Sequence, residues 1–249
     1  MNTEIFVQAR MGSTRLPGKV LKEVLGRPLL SYLIERLKRA KEADNLVILT
    51  TMQAADDPII ALCQDEGVPW FRGSEENVLE RYFMAAQKRE VDAIVRITSD
   101  CPLIDPEVVD DVIQTYKSAF PSFDYISNSL ELSFPRGMDT EIFSFQALKT
   151  AFLANIGQEE KEHVTPYIYT HPELFKLKNV AHHPSLCNFR WTVDTPEDFK
   201  LIRLILEKLY PFNPKFSMKD ILDLLEKYPE WNQINAHIEQ RKLKFQRKQ

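Results

Sequence analysis

The chain of 249 residues lacks the features that mark several specialised classes of protein. Its cysteines, Cys63, Cys101 and Cys187, are odd in number, widely spaced and form no C-x-x-C pair. This pattern argues against a disulfide framework or a zinc site and favours a reducing compartment. No apolar run approaches the roughly 20 residues of a membrane-spanning helix, and the N-terminus lacks a signal-peptide pattern. We therefore expect a cytoplasmic protein without a membrane segment.

An excess of basic charge is also missing. The formal net charge is −4 and the sequence pI is about 5.8, whereas proteins that bind nucleic acid usually present a basic surface. No internal repeat and no low-complexity linker divide the chain, and its length suffices to bury a sizeable core. We expect no nucleic-acid partner. We also expect one domain over residues 1–230, followed by a polar C-terminal helix or tail at 231–249.

The first half of the chain alternates apolar runs with amphipathic stretches. The apolar runs predict buried parallel strands at 5–9, 46–51 and 93–98. The amphipathic stretches predict helices at 29–41, 58–66, 77–89 and 107–119. This order predicts an α/β fold that is Rossmann-like, with a mostly parallel sheet and helices on both faces.

The second half is less regular. Its apolar segments predict strands at 124–127, 140–143, 175–180 and 189–193. Its helical spacings and caps predict helices at 144–154, 161–171, 196–209 and 217–227. In the second of these, Pro166 is expected to end the first turn or to kink the helix. The basic stretch 235–249 predicts a frayed helix or a tail.

The most informative segment follows the first predicted strand. Ten residues from Arg10 to Lys19 contain three cations, two hydroxyl side chains and two glycines. Glycine-rich backbone exposes its N–H groups, and a nest of this kind with added cations suits a polyphosphate. Ligands of open α/β sheets bind beyond the carboxyl ends of the strands, where this segment is expected. A solvated basic turn is the alternative, which the density of cations, glycines and hydroxyls disfavours.

The segment differs from two common phosphate-binding patterns. Five residues separate Gly12 from Gly18, and Val20 follows Lys19, so the pattern G-x-x-x-x-G-K followed by Ser or Thr is absent. The dinucleotide pattern G-x-G-x-x-G is absent as well. The sequence therefore indicates a phosphate loop of another kind.

The loop resembles the signature of the CMP-sugar synthetases, which include CMP-Kdo synthetase and the acylneuraminate cytidylyltransferases. The F-type branch of spore-coat polysaccharide biosynthesis is the most similar. Six segments carry the resemblance, in order along the chain: 9–19, 72–82, 96–104, 135–141, 162–167 and 192–198. The resemblance implies a GT-A-like fold, CTP as the nucleotide donor and Mg²⁺ as the cofactor. It also implies a nucleotidyltransferase domain whose nucleotide half is 1–120 and whose acceptor and dimer half is 121–230.

Two aspartates are candidate metal ligands. Asp100 follows the predicted strand 93–98, and Asp194 follows the predicted strand 189–193. Mg²⁺ prefers one or two carboxylates together with phosphate oxygens and water, and carboxylates at strand ends can converge on it. Each aspartate could instead cap a turn or helix. The resemblance favours the metal, because the magnesium ligands of the family fall in motifs like Ser99-Asp100 and Val193-Asp194-Thr195-Pro196.

The resemblance also assigns substrate contacts. Arg10, Lys19 and the two aspartates are the predicted catalytic residues. The predicted nucleotide-binding residues are Ala9, Arg10, Gly12, Ser13, Arg15, Lys19, Arg72, Gly73, Ser74, Asn77, Thr98 and Ser99. The segment Arg72-Gly73-Ser74 is expected to contact cytosine, although Ser74 with Asn77 could equally serve as a capping box for the following helix.

Four residues of the second half are predicted to bind the acceptor sugar: Arg136, Asp139, Glu141 and His163. Arg136 could bind a substrate carboxylate through its guanidinium fork, although a lone Arg or His is often merely a surface or core residue. The acceptor is expected to be an acidic sugar, a nonulosonic or related 2-keto-3-deoxy acid. A homodimer is expected, with 121–134 as the interface segment.

Three rival functions remain. The enzyme could act on a sugar phosphate or use another nucleoside triphosphate. It could be a GT-A-type glycosyltransferase, although the cations from Arg10 to Lys19 exceed what a diphosphate needs. It could be a non-catalytic nucleotide-sugar binding protein, against which the retention of both aspartates argues.

Overall fold

The computed structural model describes residues 1–154 and 156–239. The strands are β1 Thr3–Gln8, β2 Glu23–Val24, β3 Arg27–Pro28, β4 Asn45–Thr51, β5 Trp70–Gly73, β6 Ala93–Thr98, β7 Tyr125–Ser127, β8 Glu141–Ser144 and β9 Leu177–Asn179. The α-helices are α1 Leu29–Leu37, α2 Asp57–Asp65, α3 Val78–Arg89, α4 Pro106–Ala119, α5 Phe145–Leu153, α6 Gln158–His163, α7 Pro166–Thr170, α8 Pro196–Leu209 and α9 Met218–Lys227. Short 3-10 helices cover Lys19–Leu21, Ala54–Asp56 and Pro229–Gln233.

Seven strands form one sheet in the order β5-β4-β1-β6-β8-β7-β9. The strands β5, β4, β1 and β6 pair in parallel. Strand β8 runs antiparallel between β6 and β7, and β9 continues in parallel with β7. The predicted mostly parallel α/β sheet is therefore confirmed.

Helices cover both faces of this sheet. The central strand β1 is apolar on both sides, so both faces have to be buried. Helices α1, α2 and α4 contribute Leu33, Ile59 and Val112 to the core on one face. Helices α3 and α5 contribute Tyr82 and Leu148 to the core on the other. A third apolar cluster joins α8 and α9 to the β2–β3 hairpin.

The sheet order places a crevice at the carboxyl end of β1. Strands β4 and β5 lie on one side of β1, and β6 lies on the other. The connections that follow β1 and β6 leave the sheet on opposite sides of this switch point, where open α/β sheets bind their ligands. The loops at 9–18 and 99–105 therefore meet at the place predicted for the phosphate loop.

The predicted strand at 189–193 is wrong. Within this stretch the structure has a single isolated bridge, between Arg136 and Arg190. The backbone instead bonds to two loops: the N–H of Trp191 donates to the carbonyl of Arg136 at 2.7 Å, and that of Val193 donates to the carbonyl of Asp100 at 2.8 Å. The segment crosses the end of β6 without joining the sheet, which places Asp194 beside Asp100.

One further stretch of the second half differs from expectation. The predicted helix at 161–171 is two helices, α6 and α7, because Val164 adopts a positive φ and Pro166 begins the second helix. In the C-terminal stretch, Trp231 and Ile234 pack against the third apolar cluster, and residues 234–239 form no helix. The remainder of that stretch, 240–249, lies outside the described residues. Within the described ranges, none of the helices combines the length and apolarity needed to cross a bilayer.

Candidate active site

The loop after β1 is closed by its own backbone. The carbonyl of Met11 accepts hydrogen bonds from the N–H of Ser13 at 2.9 Å and of Gly18 at 3.0 Å. The N–H of Met11 donates to the carboxylate of Asp56 at 2.7 Å, which fixes the loop against the end of β4. Gly18 has φ +66°, a left-handed conformation that favours glycine. This turn directs Lys19 back into the crevice.

Lys19 lies between the two predicted metal ligands. Its Nζ donates to Asp100 Oδ2 at 3.0 Å, to Asp194 Oδ1 at 2.9 Å and to the carbonyl of Val193 at 2.8 Å. The side chains of Lys19 and Asp194 are only 13% and 11% exposed. The structure thus brings together, around one ammonium group, two carboxylates that are distant in the sequence.

The charges of this cluster shift the pKa values of its members. Burial lowers the pKa of Lys19, but the carboxylates of Asp100 and Asp194 outweigh burial and raise that pKa above its ordinary value. Burial raises the pKa of Asp100, but the Lys19 charge and hydrogen bonds from Thr98 and Lys19 outweigh it and lower that pKa to about 2. The ammonium and the Asp100 carboxylate are therefore both ionised at neutral pH.

The depressed pKa of Asp100 predicts a loss of stability in acid. Its folded-state pKa lies below its ordinary value of 3.8, so the contribution of its charge is complete above about pH 5 and declines as the pH falls toward 2. The difference in free energy of unfolding between the wild type and Asp100→Asn should therefore shrink as the pH is lowered from about 6 to about 3. Urea unfolding at each pH measures it. A difference that stays constant with pH would contradict the assignment.

The remaining cations of the loop lie at the rim of the crevice. Arg15 is 44% exposed and contacts Asp194 Oδ2 at 3.0 Å. Arg10 is 42% exposed and lies 3.8 Å from Glu75 and 3.6 Å from Glu162. The contacts of Arg10 are long and solvent-facing, whereas Arg15 makes a close contact with Asp194 but keeps nearly half of its own side chain exposed. Both guanidinium groups are therefore reachable by an incoming anion. Ala9, by contrast, is buried beneath the loop.

The segment predicted to contact cytosine spans the carboxyl end of β5 and the first residue beyond it. The guanidinium of Arg72 is held by the carbonyls of Thr51 and Gln53 and by Asp57, at 2.7, 2.8 and 2.9 Å. Ser74 Oγ accepts from the N–H of Asn77 at 3.0 Å, and Asn77 caps α3 by accepting from Glu80. A Cβ added at Gly73 would lie 2.9 Å from Arg81 Cγ. Arg72 therefore holds the end of β5 to the end of β4 and the segment that follows it, and Asn77 is the N-cap of α3. Gly73 allows the backbone to pack closely on Arg81.

Thr98 and Ser99 lie at the end of β6. The hydroxyl of Thr98 donates to Asp100 Oδ1 at 2.6 Å and so orients the carboxylate. Ser99 is buried, and its N–H donates to the carbonyl of Gln8 on the adjacent strand at 3.3 Å. Both residues therefore support the position of Asp100, and a nucleotide contact by either one stays a prediction.

The predicted acceptor residues fall into different environments. Arg136 donates to Asp139 at 3.1 Å, and both side chains are about 30% exposed, at 28% and 31%. Glu141 is buried and pairs with Arg96, and it accepts from Tyr125 at 2.6 Å. His163 ends α6, at the boundary with α7. Arg136 and Asp139 thus have partial access to solvent, whereas Glu141 belongs to an interior polar network; the acceptor role of all four stays a prediction.

Replacing Gly137 by alanine is expected to lower the stability of the fold strongly. Its φ is +102°, and an added Cβ would lie 2.6 Å from the carbonyl oxygen of Trp191. Gly137→Ala should lower the free energy of unfolding by about 3 kcal/mol, because strain and the backbone clash add. Gly67→Ala is the matched control, since Gly67 has φ +62° with nothing within 4 Å of the added Cβ. Thermal unfolding of both variants measures the difference, and equal losses would refute the contribution of the Trp191 contact.

Sequence reasoning missed three residues that support Asp194. Arg190 donates to Asp194 Oδ2 at 3.0 Å and to both oxygens of Asp198, and Asn235 donates to Asp198 at 2.9 Å. The spacing from Thr195 to Asp198, which forms a capping box in the structure, is the one signal that could have found Asp198. Arg190 was hidden within the stretch interpreted as a strand, and no local pattern marks Asn235.

The donor set fits Mg²⁺. Asp100 and Asp194 supply hard oxygen ligands that converge on one point, the position of the Lys19 ammonium. Among the described residues, no group of three or more His, Cys, Asp and Glu side chains could hold a metal ion. The arrangement therefore fits an ion that takes its remaining ligands from phosphate and water rather than from an all-protein cage.

Comparison with known proteins identifies the class as nucleotidyltransferase. A family model described as cytidylyltransferase matches residues 5–243. The chain therefore belongs to the cytidylyltransferase family. The spore coat polysaccharide biosynthesis protein SpsF of Bacillus subtilis is 34% identical over 238 residues, which are 92% of this chain and 97% of that protein.

Two further relatives agree. A cytidylyltransferase structure from Leptospira borgpetersenii is similar with a TM-score of 0.89 and 34% identity, over 94% of this chain and 97% of that one. The 3-deoxy-manno-octulosonate cytidylyltransferase 2 of Hydrogenovibrio crunogenus is 32% identical over 154 residues, 60% of each chain. The predicted family resemblance, the fold and the assignment as an enzyme are thus confirmed.

Proposed function

We propose that the protein transfers CMP from CTP to an acidic sugar, a nonulosonic or related 2-keto-3-deoxy acid, and releases pyrophosphate. The observation that carries this proposal is the junction of Lys19 with Asp100 and Asp194 at the switch point, directly below the cationic loop. The name of the 3-deoxy-manno-octulosonate relative supports an acidic sugar as the acceptor. The name of SpsF supports a role in surface polysaccharide synthesis.

In this reaction a hydroxyl of the sugar attacks the α-phosphorus of CTP in line, and pyrophosphate leaves. Arg10, Arg15 and Lys19 neutralise the triphosphate and the charge that develops on the leaving group. Asp100 and Asp194 would hold Mg²⁺, which supplies Lewis-acid stabilisation of the phosphate oxygens when bound. Arg136 would bind the carboxylate of the acceptor. The attacking hydroxyl gives up its proton to solvent as its bond to phosphorus forms and the bond to pyrophosphate breaks, and positioning and charge supply the remaining stabilisation.

The assembly and compartment stay predictions. The interface segment proposed for a homodimer, 121–134, contains the exposed Leu132 and directly follows the exposed Phe120, at 45% and 56% exposure. The residues of β7 within the same segment are buried in the sheet. Only the two ends of the segment are thus available to a second copy. We propose that the dimer forms in the cytoplasm, and sedimentation velocity of the purified chain measures its state.

Pyrophosphate release tests the function. Each of the four common nucleoside triphosphates is combined with Mg²⁺ and with a panel of 2-keto-3-deoxy acids and sugar phosphates. Pyrophosphate is expected to be released only when CTP is combined with a 2-keto-3-deoxy acid. Release only with a sugar phosphate would change the acceptor class, and release with another triphosphate would change the donor. Thermal stabilisation by a nucleotide sugar but not by CTP would refute the synthetase in favour of a glycosyltransferase.

A further inference from the structure

The two oxygens of Asp194 have different kinds of partner. Oδ1 accepts from Lys19, on the side that faces Asp100. Oδ2 lies 3.0 Å from a nitrogen of Arg15 and 3.0 Å from one of Arg190. The side chain of Arg15 is 44% exposed, whereas that of Arg190 is 8% exposed. Arg15 can therefore move to a substrate while Arg190 stays on Oδ2.

Arg190 is fixed by Asp198, which is fully buried at the start of α8. The carboxylate of Asp198 accepts from Arg190 Nε at 2.9 Å and from Arg190 Nη2 at 3.0 Å, a bidentate pair. Asp198 Oδ2 also accepts from the backbone N–H of Asp194 at 3.0 Å and of Thr195 at 3.1 Å. One carboxylate thus orients both the guanidinium and the backbone of the candidate metal ligand.

Asn235 completes this arrangement from the C-terminal stretch. The residue is 3% exposed, and its Nδ2 donates to Asp198 Oδ1 at 2.9 Å and to the carbonyl of Arg190 at 2.9 Å. It lies 37 residues beyond Asp198 and reaches the site because Trp231 and Ile234 anchor the preceding turn in the third apolar cluster. Asn235 bonds to both members of the pair that orients Asp194.

We infer that Asn235 is a positioning residue for the metal site. It fixes Asp198 and Arg190, which hold Asp194 Oδ2 so that Oδ1 remains directed at Asp100 when Lys19 and Arg15 move to the triphosphate. This role rests on the proposed function, in which Asp194 holds Mg²⁺. Residues that orient a metal ligand from behind typically change metal affinity about 10- to 100-fold when they are replaced.

The test measures metal binding directly. Mn²⁺ binding is followed by electron paramagnetic resonance with a non-hydrolysable CTP analogue, and the Mg²⁺ requirement is followed by pyrophosphate release. Asn235→Ala should weaken Mn²⁺ binding and raise the Mg²⁺ concentration for half-maximal rate about 10-fold, while the KM for CTP changes less than about twofold. Asn232→Ala, in the same C-terminal stretch, is the matched control and should match the wild type.

A second variant tests the same inference if Asn235→Ala does not fold. Asp198→Asn keeps the shape of the side chain but weakens the pair with Arg190, so it should weaken Mn²⁺ binding in the same direction. Unchanged Mn²⁺ affinity in a folded variant would overturn the inference, as would a rise in the KM for CTP equal to that for Mg²⁺. A wild type that releases pyrophosphate without binding Mn²⁺ would overturn it as well. A wild type inactive with every donor and acceptor would instead remove the proposed function on which it rests.

Discussion

Asp100→Asn is expected to lower kcat for CMP transfer about 10³-fold, the loss typical of removing one preorganised electrostatic contact at a reacting centre. The amide keeps the shape of the carboxylate but loses the charge that Lys19 and a bound cation both use. The backbone carbonyl of Asp100 still accepts from Val193, so the two halves of the crevice stay joined. The variant should therefore stay folded at neutral pH, although less stable than the wild type there, and the fall in kcat should report the loss of the catalytic charge.

Single-turnover pyrophosphate release with saturating CTP measures this effect. Asp111→Asn removes the same charge from an exposed position on α4 and serves as the matched control. The control should retain the wild-type rate. A loss of less than about tenfold in Asp100→Asn, with the control unaffected, would show that Asp100 is not a metal ligand, because such a loss is too small for removal of a charged contact at the phosphate.

The nucleotide half of the fold could be predicted from local patterns. Strands β1 and β4 are apolar on both faces, so their sequences contain continuous hydrophobic runs bounded by polar residues, and β6 keeps this pattern apart from Arg96. Helix α4 begins at Pro106 after Asp105, whose carboxylate accepts from the N–H of Glu107. Each of these signals lies within a few residues of the feature that it predicts.

The position of Asp194 was predicted from a strand that does not exist. Phe189 to Val193 alternates like a strand, but its backbone bonds to the carbonyls of Arg136 and Asp100 instead of joining the sheet. The aspartate still reaches the crevice, because the segment crosses the end of β6. Local alternation reports that a chain is extended and half-buried, and only tertiary structure decides which groups pair with its backbone.

The contacts within the site could not be predicted from the sequence. Lys19 is separated by 81 residues from Asp100 and by 175 from Asp194, and no local pattern links side chains over such distances. The family resemblance indicated the loop and the two aspartates as separate features. It did not indicate that the lysine occupies the point on which the two carboxylates converge. That contact follows from the fold, and it means that a metal ion held by both aspartates would have to displace the ammonium group.

Lys19→Met should have two effects of opposite direction. Loss of the ammonium group should lower kcat about 10²- to 10³-fold, because a charge that stabilises the leaving pyrophosphate is removed. The same change should strengthen the binding of Mg²⁺ in the absence of nucleotide. In the proposed mechanism the ammonium and the metal ion would compete for Asp100 and Asp194, and methionine leaves these carboxylates without the ammonium partner.

Thermal unfolding as a function of Mg²⁺ concentration separates the two effects. Without metal, Lys19→Met should be less stable than the wild type, because partly buried carboxylates lose their counter-charge. Added Mg²⁺ should then raise its Tm more than that of the wild type or of Lys88→Met, an exposed control on α3. Equal Mg²⁺ responses in all three proteins would refute the competition. A larger response in Lys19→Met would mean that the triphosphate must draw Lys19 away before the metal site forms, so that CTP and Mg²⁺ bind together.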